Sequence, residues 1–376
     1  MKKLKVLQVV WRFKTGGAER MVVSFHNHFA KSEEVDIRTL CFTPSKHELW
    51  EDELASDGRV VYIPEFWADR MPMIFKKTGN FAFKKKYRKK WFLKQVELFQ
   101  PDIIHIHLSN LASELYSACA SLPKNIKVYY HMHSMPEAVA DKFVANIIKG
   151  FKDGVYHPIC VTDLQRKSAH KLYGISLDAP IVYNGIDERK FIDLKMSEDE
   201  KNNLLTSLGI KQNEFVIGCV GRGAPVKNYE LLAKVAASHS KIQPTCLLVI
   251  GEIPEDLRNT MLSNVGDAHI VFAGQRKDTN KMYRIMDVFV LTSFYESSSI
   301  VTVESQLAGT PCVISSSISD EVIISDSVSK ASPYGSPEEW CNKIQEQKGK
   351  TVILKDKERF DFNISVEALL NIYKEL

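Results

Sequence analysis

No Cys-x-x-Cys pair occurs among the seven cysteines, which stand at Cys41, Cys119, Cys160, Cys219, Cys246, Cys312 and Cys341. With an odd count and no paired spacing, most of them inside apolar runs, they read as reduced core thiols of a cytosolic protein. No Asp-x-Asp pair occurs anywhere, which argues against a carboxylate-held metal of that kind on a diphosphate. No apolar run has the length of a transmembrane helix. The opening residues from Met1 to Val10 have an apolar stretch that is short and broken by Gln8, so they read as a first buried strand rather than a signal peptide. There is no internal repeat, and no low-complexity segment apart from one charge run.

What remains is an ordinary globular composition, 44% hydrophobic and 26% charged, over 376 residues. That length suits two domains, each able to bury a core. The net charge of +4 is unevenly spread. Residues 1–190 hold 30 Lys and Arg against 21 Asp and Glu, whereas residues 191–376 hold 20 against 25. The basic half fits an acidic partner surface.

Short β-rich runs alternate with helix-length segments throughout. Strands are expected over 5–10, 35–42, 60–63, 102–107, 127–131, 158–162 and 181–183. A turn signal at Asn184-Gly185-Ile186-Asp187 interrupts the pattern, which restarts with strands over 214–220, 245–251, 269–272, 287–291 and 311–314. Helices are expected between them, including 18–30, 84–99 and 136–149. Two such trains predict two doubly wound domains with parallel sheets, and ligands at the carboxyl ends of the strands.

Glu296 and Glu304 stand eight apart, in a run from Phe294 that follows Val288-Phe289-Val290-Leu291 and ends at Gly309-Thr310-Pro311. The first carboxylate falls in a strand-to-helix loop and the second in the helix behind it. The amides from Ser298 to Val301 open that helix, and free N–H groups there suit an anion. The two carboxylates can then hold sugar hydroxyls on either side of a phosphate. Alternatively, they serve only the helix dipole.

Gly221-Arg222-Gly223-Ala224-Pro225-Val226-Lys227 ends another strand. In such a loop Arg222 can fork onto phosphate and Lys227 can offer a point charge, or both can be solvated surface. Gly16 and Gly17 follow the first strand in Thr15-Gly16-Gly17-Ala18-Glu19-Arg20, which fits a close backbone approach or a plain turn. His105-Ile106-His107 and His131-Met132-His133 each end a strand. Hydrogen bonding to backbone or substrate is expected of them rather than zinc. Lys76, Lys77, Lys84, Lys85, Lys86, Arg88, Lys89, Lys90 and Lys94 crowd a segment interleaved with Phe75, Phe81, Phe83, Tyr87, Trp91 and Phe92, in which Glu97 is the one acid of residues 71–100. A basic aromatic helix suits an anionic membrane surface. The alternative is a solvated face with its aromatics in the core. No nucleic-acid motif accompanies it, and no nucleic-acid partner is expected.

In their order and spacing these motifs resemble the retaining glycosyltransferases of family 4, nearly end to end. The further marks are Asp102-Ile103-Ile104-His105-Ile106-His107, Val182-Tyr183-Asn184-Gly185-Ile186-Asp187 and Phe272-Ala273-Gly274-Gln275-Arg276. The resemblance implies an α/β protein of the GT-B fold, two doubly wound Rossmann-like domains facing each other across a cleft. It implies a nucleotide-sugar donor held by the second domain and an acceptor held by the first. Arg222 and Lys227 would neutralise the diphosphate, with help from the amides around Ser298, Ser299, Ile300 and Val301. Glu304 would hold the ribose, and Glu296 would touch the donor sugar. His133 would reach the sugar near the reacting carbon, Gly16 and Gly17 would approach the phosphates, and Gln275 and Arg276 would meet the base. Where the family commonly has Gly soon after the first Glu, this chain has Ser297, Ser298 and Ser299. That change bears on sugar identity and activity.

The expectation is therefore a retaining, metal-independent hexosyltransferase without a cofactor. It moves a hexose or N-acetylhexosamine from a nucleotide diphosphate sugar, UDP-linked by preference, to a glycan acceptor. A lipid-linked acceptor at the cytoplasmic membrane face fits the basic helix. The presumed membrane surface is Lys84, Lys85, Lys86, Arg88, Lys89, Lys90 and Trp91. The domains are set at 1–190 for acceptor binding and 191–376 for the nucleotide-sugar, with the final helix 363–376 packing back on the first. The protein is expected in the cytoplasm, peripheral on the inner membrane face. Two alternatives are a non-catalytic glycosyltransferase-like partner subunit and a sugar-nucleotide epimerase.

Overall fold

The computed structural model describes residues 3–14, 16–46, 48, 50–64 and 81–375, the side chains of residues 81–84 excepted. The chain divides into two units, Met1–Tyr183 with Val366–Leu376, and Asn184–Ser365.

In the first unit the strands are β1 (Leu4–Val10), β2 (Val35–Cys41), β3 (Val60–Tyr62), β4 (Ile103–Ile106), β5 (Lys127–His131) and β6 (His157–Ile159). They lie in the order β3-β2-β1-β4-β5-β6, all parallel. β1 is central because both its faces are apolar: Val6, Leu7, Val9 and Val10 are fully buried. Leu7 and Val9 join the larger core with Leu40, Phe92, Ile104 and Leu115. Val10 packs on the other face with Val22 and Val23 of the helix Gly17–Phe29. Gln8 shares that second face by strand alternation, which places a buried amide beneath the helix. In register, Gln8 sits beside Thr39 on one side and His105 on the other.

The second unit repeats the plan. β7 (Phe215–Val220), β8 (Thr245–Ile250), β9 (His269–Gly274), β10 (Val288–Leu291), β11 (Cys312–Ser315) and β12 (Val328–Ala331) form a parallel sheet in the order β12-β11-β10-β7-β8-β9. Both sheets therefore reverse direction once, between β1 and β4 and between β7 and β10. Loops leaving the carboxyl ends of such a pair diverge and open a crevice for ligands.

The structure differs locally from the sequence reading at three places. The helix expected over 136–149 is a single turn, Pro136–Ala138, followed by the helix Asp141–Lys152. Residues 181–183 make only one bridge, Ile181 to Cys160, since Pro180 has no N–H to extend the ladder. β12 was not anticipated because its residues, Val328, Ser329, Lys330 and Ala331, lack an apolar run; edge strands are often polar.

Candidate active site

In the second unit the loops after β7 and β10, at the switch point, are tied together. The Phe294 amide donates to the Val226 carbonyl at 2.8 Å, and the Thr292 hydroxyl lies 3.0 Å from the carbonyls of Lys227 and Asn228. Asn228 holds a left-handed backbone (φ 53°), anchored by its amide to Pro333 O at 3.0 Å. A left-handed non-glycine residue costs energy that the surrounding bonds must offset, and such residues gather at functional sites. Lys227 Nζ donates to Glu296 Oε1 at 2.6 Å, and the Ser293 hydroxyl donates to the same oxygen at 2.7 Å. Arg222 is exposed on the same loop. The structure thus joins Lys227 and Glu296, two residues the sequence proposed separately.

Glu304 lies in the helix Ile300–Leu307 and is buried, accepting from the Tyr283 hydroxyl at 2.9 Å. Sequence reading gave no sign of Tyr283, which lies 21 residues away. At the helix start the Ile300 amide donates to Ser298 O at 2.9 Å, and Thr302 and Val303 donate to Ser299 O. The Ile300 amide is therefore engaged within the turn, which removes it from the anion site expected over Ser298 to Val301. The Ser298 Oγ is buried and makes no hydrogen bond.

Gly251, after β8, needs to be glycine: its φ is 133°, and a Cβ there would stand 2.0 Å from Gly221 O. The loops after β7 and β8 pack backbone to backbone here. The next strand's loop joins them, with Gln275 Nε2 donating to Glu252 at 3.1 Å. Arg276 is forked onto Asp278 at 2.8 and 2.7 Å, so its guanidinium already has an acid partner.

In the first unit, Gly16 caps the helix Gly17–Phe29, accepting from the Arg20 amide at 3.1 Å; Gly17 is exposed. His105, His107 and His131 are wholly buried at the ends of β4 and β5, and His133 is half-buried beside them. Burial holds the His107 and His131 rings far below the usual imidazole range and His105 down to about 3, so all three are neutral. His107 Nδ1 meets His133 Nε2 at 3.0 Å, and His107 Nε2 meets Gln8 Oε1 at 3.2 Å. His105 Nδ1 pairs with the hydroxyl of Tyr373 in the helix Phe362–Lys374. Ring nitrogens of His105, His107 and His131 lie within 4.8 Å of one another, but both nitrogens of His107 are already committed.

The basic helix, Phe81–Phe99, divides into two faces. Trp91, Phe92, Val96 and Phe99 are buried, and Trp91 stands edge-on to Phe42 at 5.2 Å. Trp91 is therefore a core residue and not part of a membrane surface. Arg88 is likewise taken up, forked onto Glu114 at 2.5 and 2.9 Å. Lys86, Lys90 and Lys94 are exposed, while Lys85 and Lys89 are half-exposed. Lys76, Lys77 and the side chain of Lys84 lie outside the described residues.

Two family profiles match in tandem: Glycosyltransferase Family 4 over residues 15–190 and Glycosyl transferases group 1 over residues 200–348. The chain belongs to family 4 of the glycosyltransferases. It is an enzyme that transfers sugars, with the α/β architecture of the GT-B fold. It is 25% identical to the putative glycosyltransferase EpsF of Bacillus subtilis, over 98% of this chain and 96% of that protein. It is 26% identical, over 57% of each, to the UDP-Gal:alpha-D-GlcNAc-diphosphoundecaprenol alpha-1,3-galactosyltransferase of Escherichia coli. The fold matches Anabaena Alr3699/HepE, solved in complex with UDP and glucose, at a TM-score of 0.78 and 17% identity over 99% of this chain and 100% of that one. No helix among the described residues is long and apolar enough to cross a membrane.

Proposed function

We propose that this glycosyltransferase moves a hexose or N-acetylhexosamine from a UDP-sugar to a lipid-linked glycan, with retention and without a metal. The observation that carries the reading is the Lys227–Glu296 pair at the β7/β10 switch point, with buried Glu304 behind it. Leaving of a nucleoside diphosphate builds negative charge on phosphate and positive charge on the sugar. Lys227, held by Glu296, is a preorganised cation for the first charge, and the exposed Arg222 on the same loop is a second; such electrostatic aid needs no metal. Glu296 offers its carboxylate to the donor sugar, and Glu304 takes the ribose hydroxyls. The amides of Ser299 and Val301 contribute backbone donors to the diphosphate. Gln275, held by Glu252, is assigned to the base, and Arg276 takes part only by sharing Asp278.

Support for UDP comes from relatives and neighbours that carry it: the Escherichia coli galactosyltransferase uses UDP-Gal, and the Anabaena structure holds UDP. The same Escherichia coli enzyme takes a diphosphoundecaprenol-linked acceptor. With the exposed Lys86, Lys90 and Lys94, this favours a lipid-linked acceptor at an anionic, cytoplasmic membrane face in envelope or exopolysaccharide synthesis. The test is transfer from a panel of UDP-sugars to a polyprenyl-diphosphate-linked sugar in EDTA, with the product's anomeric configuration read by NMR. A retained α linkage supports the reading. Turnover only with added metal, or inversion, overturns those parts of it.

A further inference from the structure

Three side chains of different donor chemistry meet at the amino ends of β7, β8 and β9 in the second unit. Glu214 stands one residue before β7, Cys246 is the second residue of β8, and His269 opens β9. We propose that Glu214, Cys246 and His269 bind a zinc ion that clips the edge strand β9 to β8 and β7.

The sheet register brings the three together. Val216 lies beside Cys246, and Cys246 beside His269. Glu214 precedes Val216 by two residues, so strand alternation puts it on the same face. A carboxylate oxygen, the thiol sulfur and an imidazole nitrogen then lie within 4.8 Å of one another. Around a tetrahedral zinc such atoms stand roughly 3.3–3.6 Å apart, a difference that side-chain rotation can take up.

The carboxylate is held in place before an ion arrives. The Lys211 amide donates to Glu214 Oε2 at 2.8 Å, and His269 Nδ1 stands 3.1 Å from the same oxygen. Glu214 is 7% exposed and Cys246 is buried, whereas His269 is 38% exposed and gives the ion its way in. Burial pushes the Cys246 thiol up to about 12, and the charge on Glu214 adds to it. A cation between thiolate and carboxylate relieves that opposition, and the thiol proton passes to solvent as the metal–sulfur bond forms. Sulfur, nitrogen and oxygen together suit zinc, whereas calcium and magnesium take oxygen ligands. Water fills the fourth position.

The clip acts where the sheet is weakest. β9 is an edge strand, half-exposed along its whole length, while β7 and β8 are buried throughout. An ion that binds only the folded strands stabilises them by mass action. The loops that carry Lys227 and Glu296 leave the opposite ends of the strands, a strand length of roughly 20 Å away, so the ion has no part in transfer.

The experiment is titration of the full chain, stripped with EDTA and dialysed, with cobalt(II) alone as a spectroscopic stand-in for zinc. A sulfur-to-cobalt charge-transfer band is expected in the near ultraviolet, saturating at a single ion per chain and abolished by added zinc. Cys246→Ala and His269→Gln are each expected to lose the band, and Glu214→Gln to weaken binding at least tenfold. Zinc at a hundredfold excess over its dissociation constant is expected to raise the thermal midpoint of the wild type by roughly 5 °C and to leave that of His269→Gln unmoved. No sulfur band in the wild type overturns the proposal, reducing the trio to a His–Glu hydrogen bond over a core thiol. A band that persists in Cys246→Ala, or equal stabilisation of wild type and His269→Gln by zinc, also overturns it. Should Cys246→Ala fail to fold, the half-exposed His269→Gln decides, and a band undiminished there overturns the site.

Discussion

Lys227 Nζ and Glu296 Oε1 lie 2.6 Å apart, on loops that leave β7 and β10 on either side of the sheet's reversal. Each side chain is less than a fifth exposed, so water screens the pair only partly. In the unliganded protein each group satisfies the other. A diphosphate would share the ammonium and leave the carboxylate to a sugar hydroxyl.

Lys227→Met removes the cation and leaves Glu296 with Ser293 alone. Charge-assisted hydrogen bonds are worth about 1.5–3 kcal/mol, so UDP affinity is expected to fall roughly ten- to a hundredfold by calorimetry. Glu296→Gln keeps the shape and one acceptor. It is expected to spare UDP binding and to lower turnover, because the carboxylate is assigned to the sugar and not to the diphosphate. Equal loss of UDP binding in both variants would contradict that division.

Tyr283→Phe deletes the hydroxyl that holds Glu304. The buried carboxylate loses one of its bonds, and thermal or urea unfolding should show a loss of about 1–3 kcal/mol. UDP affinity should weaken with it, since Glu304 is then held less firmly.

The strand-end histidines make stability depend on pH. His105, at about 3 when folded against 6.5 when unfolded, is joined by His107, His131 and His26, all lowered by burial. Below about pH 6.5 the unfolded chain binds protons that the folded one refuses, so stability is full above that pH and falls as the pH drops toward 3. The midpoint of urea unfolding is expected to decline steadily between pH 7 and 5. His105→Asn, which cannot titrate, should flatten part of that slope. An unchanged slope would assign it to the carboxylates instead.

The faces of the basic helix separate stability from membrane binding. Trp91→Ala should destabilise the protein by about 3–5 kcal/mol. Lys86→Glu with Lys90→Glu should leave stability nearly unchanged and weaken cosedimentation with anionic vesicles, at about 1 kcal/mol per lysine removed. No binding of the wild type to such vesicles would remove the membrane reading.

The two doubly wound sheets were legible because buried parallel strands are short apolar runs separated by helical periodicity, as at Val216 to Val220 and Val288 to Leu291. Glu296, Lys227 and the paired histidines were legible as residues at strand ends. Their partnerships were not, because they depend on register. Gln8 meets His107 across 99 residues, and Tyr283 meets Glu304 from a different helix. The basic helix was misread at Trp91 because composition shows a mixture of lysines and aromatics. Only the helical spacing, with Lys86, Lys90 and Lys94 on one side and Trp91, Phe92 and Phe99 on the other, shows that they separate.

The central claim is that the second unit holds a UDP-sugar through Lys227, Glu296 and Glu304 with no metal. Calorimetric titration of UDP in EDTA, into the wild type and into Glu304→Ala, tests it most directly. The account predicts saturable binding to the wild type and at least a tenfold loss in the variant. Absence of UDP binding in EDTA, or equal affinity for both proteins, would contradict it.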